Sequence, residues 1–160
     1  MANPDPISDR LAISDLLTHY SHCLDSRQLE LLASEVFAVD ADVDYGWGRW
    51  TSGREVADWM IATFEDFAGT MHALSNERIQ LDGDAATSTC CVQAYHWLPA
   101  EPGADLMRPA DFVFAGMYED RHRRTADGWR IAWRRFRMLG DSSLAVGALP
   151  DFMRLQRERD

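Results

Sequence analysis

The chain has 160 residues, of which 46% are hydrophobic, and a formal net charge of −10 at pH 7. This length suits one domain with a single core, and the apolar content excludes a disordered chain. The acidic excess argues against nucleic acid as a partner, because its phosphates would be repelled, and the absence of lysine excludes Schiff-base chemistry and a P-loop.

Residues 1–160 are expected to form one domain, with residues 1–6 as a loose lead and residues 141–160 as a C-terminal tail. No apolar run approaches the roughly 18–20 residues of a membrane span, and the first residues lack both segments of a secretory signal. We therefore expect a cytoplasmic protein with no membrane partner. Three cysteines, two of them adjacent, provide neither a disulfide framework nor the spacing of metal ligands.

The first half of the chain carries helical patterns. Apolar residues recur at helical spacing over residues 8–24, with Ser8 as the N-cap, and a second helix is predicted over residues 27–36. The short turn between these two helices predicts an αα-hairpin. A third helix is predicted over residues 54–68, with Gly69 closing its C-terminus.

Between and after these helices the hydrophobic period changes to two, which indicates strands. The predicted strands cover residues 39–45, 49–52, 70–81, 85–98, 110–123 and 128–139. Three helices gathered on one side of a curved antiparallel sheet form an α+β architecture shaped like a cone. The mouth of such a cone is a natural place for a small-molecule pocket.

His72 lies in the middle of the strand predicted over residues 70–81, among small and apolar residues, so its side chain is expected to face an interior. An imidazole can give or take a proton near neutral pH, since its ordinary pKa is about 6.5. One interpretation is a core histidine bonded to a backbone carbonyl. The other is a general base in a pocket, which needs an acidic partner to orient the ring and donors to hold a substrate.

Three features resemble the SnoaL-like branch of the nuclear transport factor 2-like superfamily. They are Asp25 in Cys-Leu-Asp-Ser-Arg at the end of the first helix, His72 in Thr-Met-His-Ala-Leu, and the turn and strand Asp-Gly-Trp-Arg-Ile that begins at Asp127. The resemblance covers nearly the whole chain and implies the cone-shaped α+β fold. Asp25 and His72 resemble the catalytic dyad of scytalone dehydratase, hexachlorocyclohexane dehydrochlorinase and bile-acid 7α-dehydratase.

The same resemblance implies further site residues. Tyr20, five residues before Asp25, is similar to the tyrosine of the bile-acid dehydratase, and Tyr45 is similar to a pocket tyrosine of two of these families. Tyr20 is therefore a candidate catalytic residue with His72 and Asp25, and Tyr45 a candidate substrate-binding residue. For Asp25, N-capping of the second helix is the competing interpretation.

Arg135, on the last strand, is near the position of a family arginine, and Arg134 and Arg137 are competing registers because a bulge would exchange the two faces of the strand. His96 is a further candidate for substrate binding if its side chain faces the inside of the cone. An arginine or tyrosine whose side chain faces the inside of the cone would stabilise negative charge that develops on a substrate oxygen.

The resemblance implies a cofactor-free, dehydratase-like lyase that acts on a small hydrophobic polycyclic or aromatic-derived molecule. A non-catalytic small subunit of a ring-hydroxylating dioxygenase, or a ligand-binding protein, is the alternative, and an isomerase or hydrolase ranks third. The same fold hosts all of these functions. Exposed aromatic and arginine residues on the last strands also predict a homo-oligomer, either a dimer or a trimer.

Overall fold

The computed structural model describes residues 5–101 and 107–140, so the predicted C-terminal tail lies outside the described residues. The helices are α1, Pro6–Asp25, and α2, Gly53–Phe64, with a five-residue π-helix at Leu32–Val36. The strands are β1 Phe37–Asp44, β2 Arg49–Trp50, β3 Gly69–Asp82, β4 Ala85–Trp97, β5 Phe112–Thr125 and β6 Gly128–Gly140. The α+β class is as predicted.

Helix α1 begins two residues earlier than its sequence pattern indicates. Asp5 is the N-cap, and its carboxylate accepts hydrogen bonds from the backbone N–H groups of Ile7 and Ser8 at 3.2 and 3.3 Å. Pro6 occupies the first helical position, where its missing N–H costs nothing. Ser8 is therefore inside the first turn and is not the cap.

The helix predicted over residues 27–36 is wrong. Arg27 adopts a left-handed backbone with φ of 62°, which breaks the helical path directly after α1. The N–H groups of Leu31, Leu32 and Ala33 then bond to carbonyls three residues earlier, which forms successive tight turns. The π-helix follows, and β1 begins at Phe37, so too few residues remain for a second α-helix.

The six strands form one curved sheet in the order β2-β1-β6-β5-β4-β3. Strand β1 runs parallel to β6, with Phe37 opposite Ile131, and every other pairing is antiparallel. The sheet is therefore mixed, and the predicted antiparallel arrangement holds for every pairing except that of β1 with β6. A parallel pair needs a long crossover connection, which the remaining strands and α2 supply here.

Helix α1 packs across the concave face of the sheet and closes one side of the core. Asp9 in its first turn accepts hydrogen bonds from the indole of Trp129 at 3.2 Å and from Arg124 at 2.6 Å. These contacts fix the start of the helix to the β5–β6 hairpin. Within residues 5–101 and 107–140, no helix is both long and apolar enough to cross a bilayer.

Candidate active site

The concave face of the sheet, α1 and α2 enclose a cavity with an almost entirely apolar wall. Its lining residues are Tyr20, Leu24, Tyr45, Trp47, Trp59, Met60, Thr63, Phe64, Phe67, His72, Val92, Ala94, His96, Phe114, Tyr118 and Phe136. The centre of a water molecule can occupy about 50 Å³ of this cavity. The cavity therefore has room for a few waters. A larger molecule would have to displace some of the aromatic side chains.

Asp25 and His72 meet at the edge of this cavity. The Asp25 Oδ1 atom lies 2.7 Å from His72 Nδ1, and Oδ2 accepts the backbone N–H of His72 at 2.8 Å. The hydroxyl of Thr70 donates a third hydrogen bond to Oδ1 at 3.0 Å. Asp25 closes α1 while His72 belongs to the β3 strand, so the contact spans 47 residues and does not cap a helix.

The hydrogen bonds orient the His72 ring. A carboxylate only accepts hydrogen bonds, so His72 Nδ1 carries a proton and Nε2 lies on the opposite side of the ring. Burial alone would raise the pKa of the Asp25 carboxyl, but the hydrogen bonds and charge of His72, with Thr70, outweigh it and the pKa is lowered. The His72 side chain is 5% exposed, against 26% for Asp25.

Three tyrosines converge on the other side of the cavity. The hydroxyls of Tyr20 and Tyr45 lie 2.9 Å apart, and the ring of Tyr118 packs edge-on against Tyr20. Burial, reinforced by the neighbouring Tyr20, raises the pKa of Tyr45 and of Tyr118 well above the ordinary value. These phenols therefore keep their protons near neutral pH and can donate hydrogen bonds.

Arg134 lies beneath the tyrosines, and Arg135 does not. The guanidinium carbon of Arg134 is 4.2 Å from the ring centroids of both Tyr20 and Tyr118, in cation–π geometry. Arg135 is exposed on the outer face of the sheet. The prediction that Arg135 lines the pocket is therefore wrong.

A β-bulge explains the exchange of these two arginines. Ile131 pairs with His122 and Trp133 pairs with Arg121, so Ala132 is an extra residue in β6. Without the bulge, the odd-numbered residues that follow Ile131 in β6 would continue to face the core. The extra residue instead turns Arg134 inward, because one inserted residue exchanges the faces of a strand.

His96 enters the cavity wall beside the dyad. Its ring centroid lies 5.8 Å from that of His72, and its Nδ1 lies 3.1 Å from the carbonyl oxygen of Ala94. Since a carbonyl only accepts, Nδ1 carries the proton and Nε2 can accept a hydrogen bond. Burial, with the charge of His72, lowers the pKa of His96 to about 3, so this ring is neutral near pH 7.

Five of the six predicted site residues, all except Arg135, therefore belong to the dyad or to the cavity wall. Tyr118 and Trp47 were missed. The alternation of β5 placed Tyr118 on the same face as Phe114, so the signal was present for Tyr118. Trp47 lies between Gly46 and Gly48 in a loop, where no hydrophobic period predicts which way a side chain points. Among the described residues, no three His, Cys, Asp or Glu side chains converge as metal ligands would.

Residues 5–135 match the family model of the SnoaL-like domain. The chain belongs to the SnoaL-like domain family. An uncharacterised protein of Mycobacterium tuberculosis strain H37Rv is 34% identical over 131 residues, which are 80% of this chain and 84% of that protein. The family assignment, and the fold expected from the resemblance, are thereby confirmed.

Several solved structures share the fold. The Kfla4162 protein from Kribbella flavida is 28% identical, with a TM-score of 0.76 over 85% of this chain and 94% of that chain. A type 2 hexachlorocyclohexane dehydrochlorinase is 21% identical, with a TM-score of 0.73 over 91% of this chain and 96% of that chain. At that identity, the likeness to the dehydrochlorinase establishes a common fold alone.

Proposed function

We propose that the protein is a cofactor-free lyase of the dehydratase type, in which Asp25 and His72 abstract a proton from a carbon next to a carbonyl group. The observation that carries this proposal is the 2.7 Å contact between Asp25 Oδ1 and His72 Nδ1 at the edge of an aromatic cavity. A general base must be oriented and within reach of the substrate, and the contact with Asp25 supports the first of these conditions because it orients the His72 ring.

The chemistry proceeds in two steps. His72 Nε2 takes the proton from the carbon, the C–H electron pair moves toward the carbonyl oxygen, and an enolate forms. Asp25 stabilises the imidazolium that results. The enolate electrons then form the new double bond as the bond to the β-hydroxyl breaks, and the hydroxyl leaves as water with a proton from His72 or from a tyrosine.

The tyrosines suit the enolate step. Tyr20 and Tyr45 hold a hydroxyl pair at the cavity wall in which one O–H donates to the other oxygen, and the remaining O–H would stabilise negative charge as it develops on the carbonyl oxygen. Arg134 is wholly buried and bonded to Asp120, so its positive charge acts on the oxygen through the tyrosine rings and not by direct contact.

The apolar wall favours a hydrophobic ring as the substrate. His96 adds one acceptor to this wall, which suits a substrate hydroxyl. The name of the dehydrochlorinase that shares the fold describes the loss of HCl, which is also an elimination. This likeness supports an elimination reaction without identifying the leaving group.

The test uses a panel of bicyclic β-hydroxy ketones, beginning with 3-hydroxy-1-tetralone, whose dehydration yields 1-naphthol. We expect turnover by the purified protein and a loss of about 10²- to 10⁴-fold in kcat in the variant His72→Ala. His22→Ala, which removes an exposed histidine from α1, is the matched control and should keep full activity. Equal turnover by the two variants would exclude His72 as the base.

The same panel separates the remaining interpretations. An isomerase would return a product of unchanged mass, and a structural subunit would show no turnover and would co-purify with a larger iron-containing partner. The expected homo-oligomer stays a prediction. It is tested by light scattering, and Met71 and Leu139, 46% and 54% exposed, belong to the apolar surface that an interface would bury.

A further inference from the structure

The loop between β1 and β2 inserts one indole into the cavity wall. Gly46 adopts φ of 86°, which a residue with a side chain rarely does, and a Cβ on Gly48 would lie 2.4 Å from the ring of Trp50. Both glycines are therefore required for this loop path. Trp47 stands between them and lines the cavity.

The indole of Trp47 is surrounded by aromatic rings. It stacks on Tyr45 with centroids 5.6 Å apart and on Phe114 at 5.9 Å, and it meets Phe136 edge-on at 5.6 Å. Its Nε1 atom is buried, and no acceptor among the described residues lies within hydrogen-bonding distance. Ring faces are weak acceptors and do not replace an oxygen.

Two other indoles in the protein have ordinary partners. Trp97 donates to the carbonyl of Arg108 at 3.1 Å, and Trp129 donates to the Asp9 carboxylate at 3.2 Å. A buried N–H group without a partner is unusual in native proteins. The indole of Trp47 borders the same cavity as His72, and its buried N–H group meets an acceptor there if a bound molecule displaces a neighbouring aromatic ring.

We propose that the Trp47 indole N–H donates a hydrogen bond to an oxygen atom of the bound molecule. This inference rests on the proposed function in one respect, because it places the molecule in the same cavity. It selects the substrate class: a ring compound that carries a carbonyl or hydroxyl oxygen. A halogenated hydrocarbon lacks such an oxygen, and carbon-bound halogens are poor acceptors, so it would leave the N–H unsatisfied.

The first test observes the indole proton directly. Cyclohexanone and methylenecyclohexane have nearly the same shape, but only the ketone offers an oxygen acceptor. Each is titrated into protein labelled with ¹⁵N-tryptophan, and the resonance that disappears in Trp47→Phe identifies the indole of Trp47. We expect that resonance to move downfield with cyclohexanone alone, while the resonances of Trp97 and Trp129 stay in place.

The second test compares affinities. Trp47→Phe keeps an aromatic ring and removes the N–H, so it should weaken cyclohexanone binding about fivefold and leave methylenecyclohexane binding unchanged. Trp59→Phe alters the same wall and should affect the two probes equally. The proposal would be overturned by an unmoved Trp47 resonance, by equal losses for both probes in Trp47→Phe, or by no saturable binding of cyclohexanone.

These measurements need no turnover, so they separate the inference from the proposed function. If His72→Ala keeps full activity while Trp47 responds to the ketone, the lyase mechanism fails and the oxygen-binding site stands. If Trp47 does not respond while His72→Ala is inactive, the mechanism stands and the site fails.

Discussion

Arg134 and Asp120 face each other through two parallel hydrogen bonds of 2.7 and 2.8 Å, and neither side chain has any exposed surface. Burial opposes the charge of Arg134, but Asp120 outweighs this effect and raises the pKa of the guanidinium well above its ordinary value. Arg134 therefore stays charged beneath the cavity, and the rings of Tyr20 and Tyr118 pack against its guanidinium group.

Removal of one member of this pair should be costly. Arg134→Met leaves the Asp120 carboxylate buried without its partner, and we expect a loss of about 3–5 kcal/mol in the free energy of unfolding. Arg135→Met, at the exposed neighbouring position, is the control and should change stability by less than about 0.5 kcal/mol. Urea unfolding measures both. Equal losses in the two variants would mean that the pair contributes no stability.

The dyad makes a separate prediction. Asp25→Asn should reduce kcat on an accepted substrate by about 10²-fold or more, because the amide can turn an N–H group toward His72 and no longer fixes its tautomer. Thr70→Val removes only one of the three hydrogen bonds to the carboxylate and should reduce kcat far less. Steady-state kinetics on both variants would contradict the assignment if the two losses were the same.

Two buried histidines should make the protein sensitive to acid. Burial lowers the pKa of His96 to about 3 and that of His122 to about 4, against 6.5 when unfolded. Below pH 6.5 the unfolded chain therefore binds protons that the folded chain does not, so stability is complete above pH 6.5 and falls on acidification. Each histidine should contribute a slope of about 1.4 kcal/mol per pH unit between pH 6 and 4.5.

Unfolding free energies across that range measure the slope. His96→Gln and His122→Gln should each reduce the slope by the contribution of one histidine, about 1.4 kcal/mol per pH unit. Asp25 has the same sign, since its pKa is also lowered on folding. Its contribution is present above its ordinary pKa of 3.8 and is lost only below it, so it does not act within the same range. A slope unaffected by either variant would contradict the assignment of buried neutral rings.

Close packing at Gly116 gives a prediction for the cavity wall. A Cβ at this position would lie 2.2 Å from the ring of Phe136 and 2.7 Å from the carbonyl oxygen of Arg137. Gly116→Ala should therefore cost about 1–3 kcal/mol through overpacking. Gly69→Ala is the control, because its nearest contact is 3.9 Å from Trp97. Thermal or urea unfolding would refute the prediction if both variants matched the parent protein.

Most of the fold followed from the sequence because strong periods survive tertiary packing. The long strands β3 to β6 alternate over 13 or 14 residues each, and their predicted bounds differ from the observed ones by only a few residues. The segment after Arg27 failed because its leucines are spaced like a helix while one left-handed residue redirects the chain. A local backbone conformation of that kind leaves no periodic signal.

The residues of the candidate site were likewise predicted only in part. Asp25, Tyr20 and His72 were proposed from their similarity to a family pattern, and the structure brings Asp25 and His72 into contact and places Tyr20 in the wall of the same cavity. Arg135 was preferred over Arg134, which was named as a competing register, and a bulge at Ala132 reverses that order because it inserts one residue into an otherwise regular strand. Pairing register depends on the partner strand, so no property of the β6 sequence alone specifies it.

The parallel pairing of β1 with β6 has a consequence for biosynthesis. Phe37 finds its partner Ile131 only after more than ninety further residues have been made, because the two strands are neighbours in space but not in sequence. A growing chain therefore exposes the apolar side of α1 and β1 until the last described strand leaves the ribosome. Closure of so long a loop is slow compared with local hairpins, so the β3–β5 meander should form first. The protein is thus a candidate client for a ribosome-associated chaperone.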